Sequence, residues 1–139
     1  MKALGIDYGK ARIGLAVSDD SGLLAAPLEV LQRTSPDADL ERLAATAARL
    51  HVDHIIVGMP LQLDGTRGPA AGNVERFAAE LSRRTEVPVE LWDERLTTAQ
   101  AERAMIDADA SRRRRKQHLD AVAAQMMLQC YLDAHRSRP

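Results

Sequence analysis

The feature that most constrains this chain is its opening stretch, LGIDYGKARIGLAVSD over residues 4–19. An apolar run ends in an acid and a glycine turn, and a second, alternating run follows at once. Residues 2–8 read as a strand, Gly9 and Lys10 as a tight turn, and residues 12–18 as the hairpin partner. In that partner Ile13, Leu15 and Val17 share one face, and Gly14, Ala16 and Ser18 the other. A second turn, Asp19-Asp20-Ser21-Gly22, leads into a strand over 24–31. Pro27 makes it an edge strand, because proline cannot donate to a ladder. Three turn-linked strands predict an antiparallel meander.

The period then changes. Leu40, Leu43, Ala44, Ala47 and Leu50 recur at helical spacing over residues 36–50. HIIVG at 54–58 reads as a short buried strand, followed by a loop rich in glycine and proline. A helix over about 70–84 carries Val74, Phe77, Ala78 and Leu81 on one stripe. Residues 87–92 read as another strand. Thr97 with Gln100 forms a capping box that opens a helix to about 107, and a last helix covers about 114–135. Residues 108–117, polar and without apolar anchors, read as a mobile segment. Strands separated by helices extend the meander with parallel partners. The expected fold class is therefore α/β: a mixed five-stranded sheet flanked by helices, in a single domain over residues 1–139.

Composition narrows the function classes. Residues 1–110 hold 12 basic and 18 acidic side chains, whereas residues 111–139 hold 7 basic and 2 acidic. An acidic body with a basic end suits a polyanionic partner. The single cysteine, Cys130, rules out an intramolecular disulfide framework and a cysteine-only zinc site. No apolar run approaches the roughly 20 residues that cross a bilayer, and the first residues lack signal-peptide anatomy. The expectation is a cytoplasmic protein without a membrane partner.

Acids at strand ends carry the chemical lead. Asp7 closes the apolar strand LGID just before its turn, where it either bonds its own backbone or faces a site beyond the sheet. Asp93 and Glu94 repeat the situation, and strand alternation lets only one of them share the direction of Asp7. Asp120 begins a helical row continued by Ala124, Met127 and Tyr131, beside a row of Leu119, Ala123, Met126 and Cys130. A carboxylate on the buried side of a helix needs an arginine partner or a cation. Carboxylates from three elements, without thiol or imidazole partners, suit Mg²⁺ or Mn²⁺. Such ions activate water and stabilise the leaving oxygen in phosphodiester cleavage. The run Arg112, Arg113, Arg114, Arg115 and Lys116 leads into the helix of Asp120 and would attract the flanking phosphates. With 3% aromatic residues a base-stacking platform is not expected, and Trp92 reads as core.

Four segments, LGIDYGKARIGLAVSD, IIVGMPLQLDGTRGPAAGNVERFAAEL, LWDERLTTAQAE and RRRRKQHLDAVAAQMMLQCYLD, together resemble the YqgF family of pre-16S ribosomal RNA nucleases, also described as Holliday-junction-resolvase-like. The resemblance runs nearly end to end, and Met59 departs from the family's usual leucine. It implies a ribonuclease H-like three-layer fold and a divalent-metal site. The family's DYG aspartate falls on Asp7, its DER glutamate on Glu94 and its final-helix aspartate on Asp120. On this reading Asp7, Glu94 and Asp120 are catalytic and bind Mg²⁺ or Mn²⁺. Arg12, Arg67, Arg95 and the basic run 112–116 grip the nucleic-acid backbone. The implied activity is maturation of the 5′ end of 16S ribosomal RNA, with resolution of branched DNA as the alternative. A resolvase needs two symmetric sites, so a homodimer belongs to that alternative. A non-catalytic nucleic-acid-binding module keeps the basic run and makes the acids structural. A phosphotransferase of the sugar-kinase type would need a second domain.

Overall fold

Apolar side chains alternate along β1 (Ala3–Tyr8) and β2 (Arg12–Ser18), so each strand feeds two cores, one on either side of the sheet. A computed structural model describes residues 1–60, 68–93 and 112–135, with side chains from Ala121 onward in the last stretch. β3 (Ala25–Gln32), β4 (His54–Met59) and β5 (Val89–Asp93) complete a five-stranded sheet in the order β3-β2-β1-β4-β5. The meander β1-β2-β3 is antiparallel, and β1-β4 and β4-β5 pair parallel. β3 lies at the edge, as Pro27 requires, and the ladder shifts register between Leu15 and Ala16.

Helices α1 (Pro36–Leu50) and α2 (Pro69–Arg84) cover one face, where Leu43 and Leu81 pack against Leu4, Ile6, Leu15 and Val57. Ser35 caps α1 by accepting from the Ala38 amide at 3.2 Å, and Pro36 occupies the first turn, where its missing N–H costs nothing. Helix α3 (Arg112–Ala134) covers the other face, where Ala124, Met127, Leu128, Tyr131 and Leu132 meet Ala3, Ala16 and Ile56. The result is the expected three-layer mixed sheet.

Three expectations are corrected. β5 begins at Val89 rather than at 87, because the Val87 amide bonds Thr85 Oγ1 and Pro88 has no N–H to offer. α3 begins at Arg112, so residues 112–117 are helical rather than a mobile segment. Trp92, read as core, is half-buried, with its ring edge-on to Tyr131 at 5.4 Å. The expected helix over 97–107 lies outside the described residues.

Tyr131 is buried on α3, and its hydroxyl donates to Glu90 Oε2 at 2.6 Å. Burial, then the Glu90 carboxylate, push its pKa up to about 12. Unfolded tyrosine ionises near 10, so the stabilisation is full below about pH 10 and is lost as pH rises towards about 12. Tyr131→Phe should cost about 1 kcal/mol at neutral pH. It should also flatten the decline in stability above pH 10, both read by urea unfolding across the alkaline range.

Candidate active site

β1, β4 and β5 run parallel, so their carboxyl ends share one edge of the sheet. Asp7 lies at that edge, half-buried, one residue before the end of β1. Ala3 packs in the α3 core, and Gly5 backs onto α3, so alternation turns Asp7 to the same face. Its cross-strand partner on β2 is Gly14. On the other side the β1–β4 register runs through Ile6 and Val57, and the next residue of β4 is Gly58. Ile55 and Val57 face the α1–α2 core, which turns Gly58 to the face of Asp7. The acid is thus flanked on both neighbouring strands by residues without side chains.

The direction of α3 follows from its contacts. Gln129 accepts from the Ala25 amide at 2.9 Å, and Gln125 donates to the Ala25 carbonyl at 3.1 Å, both at the start of β3. Gly5, midway along β1, meets Ala124 and Leu128. Going towards the carboxyl edge of β1 therefore goes towards the N-terminus of α3. Position 120 lies one helical turn before Ala124, towards the level of Asp7.

Other expected residues fall differently. β5 ends at Asp93, paired with Met59. Glu90 and Trp92 face α3, whereas Val89 packs with the opposite core, and alternation puts Asp93 on that opposite face. Glu94, Arg95 and Arg67 lie outside the described residues. Arg12 is exposed at the start of β2. Residues 112–116 form the first turn of α3, which contains no acid. Among the described residues no group of three His, Cys, Asp or Glu side chains could hold a metal ion. Glu94 and the side chain of Asp120 are not among them.

Sequence reasoning did not single out Asp39, which is 1% exposed in the first turn of α1. It accepts from the Thr34 amide at 3.0 Å and approaches Arg33 Nε at 3.8 Å and Arg42 Nη2 at 3.4 Å. Its sequence signal is an ordinary acidic helix start, which does not reveal burial.

The family model described as "RuvX: Holliday junction resolvase" matches residues 1–134. A protein of Myxococcus xanthus named "Putative pre-16S rRNA nuclease" is 48% identical over 136 residues, covering 98% of this chain and 90% of the relative. One of the same name from Geobacillus kaustophilus is 46% identical over 138 residues, covering 98% of this chain and 100% of the relative. Among solved structures, T. thermophilus RuvC in complex with a Holliday junction substrate superposes with a TM-score of 0.62 at 17% identity, covering 96% of this chain and 95% of that one. Fowlpox virus resolvase with junction DNA gives 0.63 at 12% identity, covering 99% and 100%. At these identities the structural likeness shows a shared ribonuclease H-like fold. No described helix is long and apolar enough to cross a membrane.

Proposed function

We propose, because the chain belongs to the RuvX Holliday junction resolvase family, that it hydrolyses phosphodiester bonds at the carboxyl edge of its sheet. The substrate is precursor 16S ribosomal RNA, after which its relatives are named, and the cut falls in its 5′ region. The observation that carries this reading is Asp7 at a strand end, flanked by Gly14 and Gly58, with the buried row of α3 leading from Ala124 towards it.

Asp7, Glu94 and Asp120 would hold the metal, and their all-oxygen donor set fits a hard divalent cation such as Mg²⁺ or Mn²⁺. When bound, the cation supplies an activated water and neutralises charge at the phosphate. β5 is the second neighbour of β1, about 10 Å away. A glutamate from beyond its end has the longer reach for that gap, and Gly58 leaves the strand between them bare. With Asp93 turned to the opposite face, Glu94 rather than Asp93 is assigned to the metal. Five cations in the first turn of α3 oppose the helix macrodipole, a cost that a bound phosphate backbone offsets. Arg12, Arg67 and Arg95 add backbone contacts. One cytoplasmic domain suffices for RNA processing, whereas junction resolution requires a homodimer.

The test is cleavage by the purified chain of matched precursor RNA and four-way-junction DNA, with light scattering on the same sample. Specific RNA cutting that EDTA abolishes and Mg²⁺ or Mn²⁺ restores is the expected result. Unchanged cutting in EDTA would remove the metal from the mechanism. Tight binding with no cutting of either substrate would make this a binding module, and a dimer that cuts only junctions would select the alternative.

A further inference from the structure

On the face of the sheet opposite Asp7, a cleft of about 820 Å³ lies between the β1–β2 turn and the N-terminal halves of α1 and α2. That volume is within the range of small-ligand sites, ~300–1,000 Å³. Leu40, Val74 and Phe77 give it apolar walls, and Lys10, Arg33 and Arg76 give it a cationic rim. Glu80, the one carboxylate of the described lining, is already paired with Arg83 at 2.9 Å.

Arg33 on this rim is held in place before any ligand arrives. Arg33 Nη1 donates to the carbonyls of Gly9 and Lys10, each at 3.0 Å, and its Nε lies 3.8 Å from buried Asp39. Its guanidinium sits 4.3 Å over the Tyr8 ring, whose other partner is Phe77, stacked at 4.0 Å. With Arg33 and Phe77 both on it, the Tyr8 ring is a wall rather than a stacking platform. Arg76 is steadied by Asn73, and Lys10 has no ion-pair partner among the described residues. Ordering a charged side chain on binding costs affinity, and here folding has already ordered Arg33. The uncapped N-terminus of α2, without acid in its first turn, adds positive potential at the same cleft.

An apolar slot with a cationic rim matches a nucleotide, its base against the wall and its phosphate at the rim. We infer that this cleft receives a nucleotide of the substrate strand flanking the scissile bond, its phosphate held by Lys10 and Arg76. This rests on the nuclease reading, because Tyr8 follows Asp7 in β1 and turns to the opposite face. A strand crossing the carboxyl edge at Asp7 therefore meets the cleft next. A free nucleotide offers the same chemistry, and the test separates the two.

Labelled single-stranded RNA is titrated in EDTA, so that binding is read without metal-dependent cutting. The proteins are the parent chain and three cleft variants, Lys10→Ala, Arg76→Ala and Asn73→Trp, each shown to melt cooperatively. Each cleft variant should bind about tenfold more weakly, the order lost with one charge-assisted contact. Arg49→Ala, which removes an equal charge in the last turn of α1, should bind like the parent. Adenosine monophosphate should displace RNA from the parent. Parent-like binding by all three cleft variants would overturn the inference. So would a mononucleotide that binds the parent, fails to bind Asn73→Trp, and does not compete with RNA. If the parent cuts nothing while the cleft variants still lose binding, the nuclease reading fails and the cleft stands as a nucleic-acid site.

Discussion

Asp7→Asn is expected to lower RNA cleavage by roughly 10³-fold or more, the scale on which one member of a catalytic constellation acts. Its thermal midpoint should stay close to the parent's. Cleavage falls because an amide cannot replace a carboxylate as a ligand to a hard divalent cation. Asparagine keeps the shape and one acceptor oxygen while removing the charge. If Asp7 only bonds its own turn, asparagine does that equally well. Parent-like cleavage by a folded Asp7→Asn chain would therefore reduce Asp7 to a turn residue and remove the proposed site. Loss of stability together with loss of cleavage would likewise point to structure rather than chemistry. In EDTA, binding of RNA should strengthen slightly, because one negative charge leaves the neighbourhood of the phosphates.

Much of this arrangement was legible because hydrophobic period reports on burial directly. The alternation in Arg12–Ser18 and the helical stripe in Pro36–Leu50 match the observed elements at both ends. Each is bounded by turn or capping chemistry, so period and punctuation agree. The sequence pattern starts β5 two residues early, because Val87 is β-branched and apolar, and propensity does not see that Thr85 and Pro88 use its surroundings for a turn. The helical character of residues 112–117 is hidden in the sequence for a related reason. Arginine is a good helix former, but five cations without apolar anchors look like a solvated tail until the rest of α3 is in place. The strand-end position of Asp7 could be read locally, whereas its bare flanks could not. Gly14 and Gly58 become neighbours of Asp7 only through pairings across β2 and β4. The cleft on the other face was hidden for the same reason, since Lys10, Arg33 and Arg76 come from three separate elements.

Gly5→Val tests the packing that sets the site. A Cβ at Gly5 would lie 3.0 Å from Leu128 Cβ and 3.4 Å from the Ala124 carbonyl oxygen, both on α3. Valine adds two methyl groups beyond that point. β1 cannot retreat, because it is paired with β2 on one side and β4 on the other. α3 must therefore move, although Gln125 and Gln129 tie it to the start of β3. Overpacking of this kind costs about 1–3 kcal/mol, only partly offset by the strand preference of valine. The larger effect is on cleavage. Position 120 rides on the same helix one turn from Ala124, and a displacement near 1 Å at a reacting constellation costs about 10²-fold. Cleavage should thus fall far more than the fraction folded at the assay temperature. Leu24→Ala, at a 67% exposed side chain, should change neither. If Gly5→Val cleaves like the parent while still folded, the close approach of β1 and α3 does not position the acids, and Asp120 acts from somewhere other than the level of Asp7.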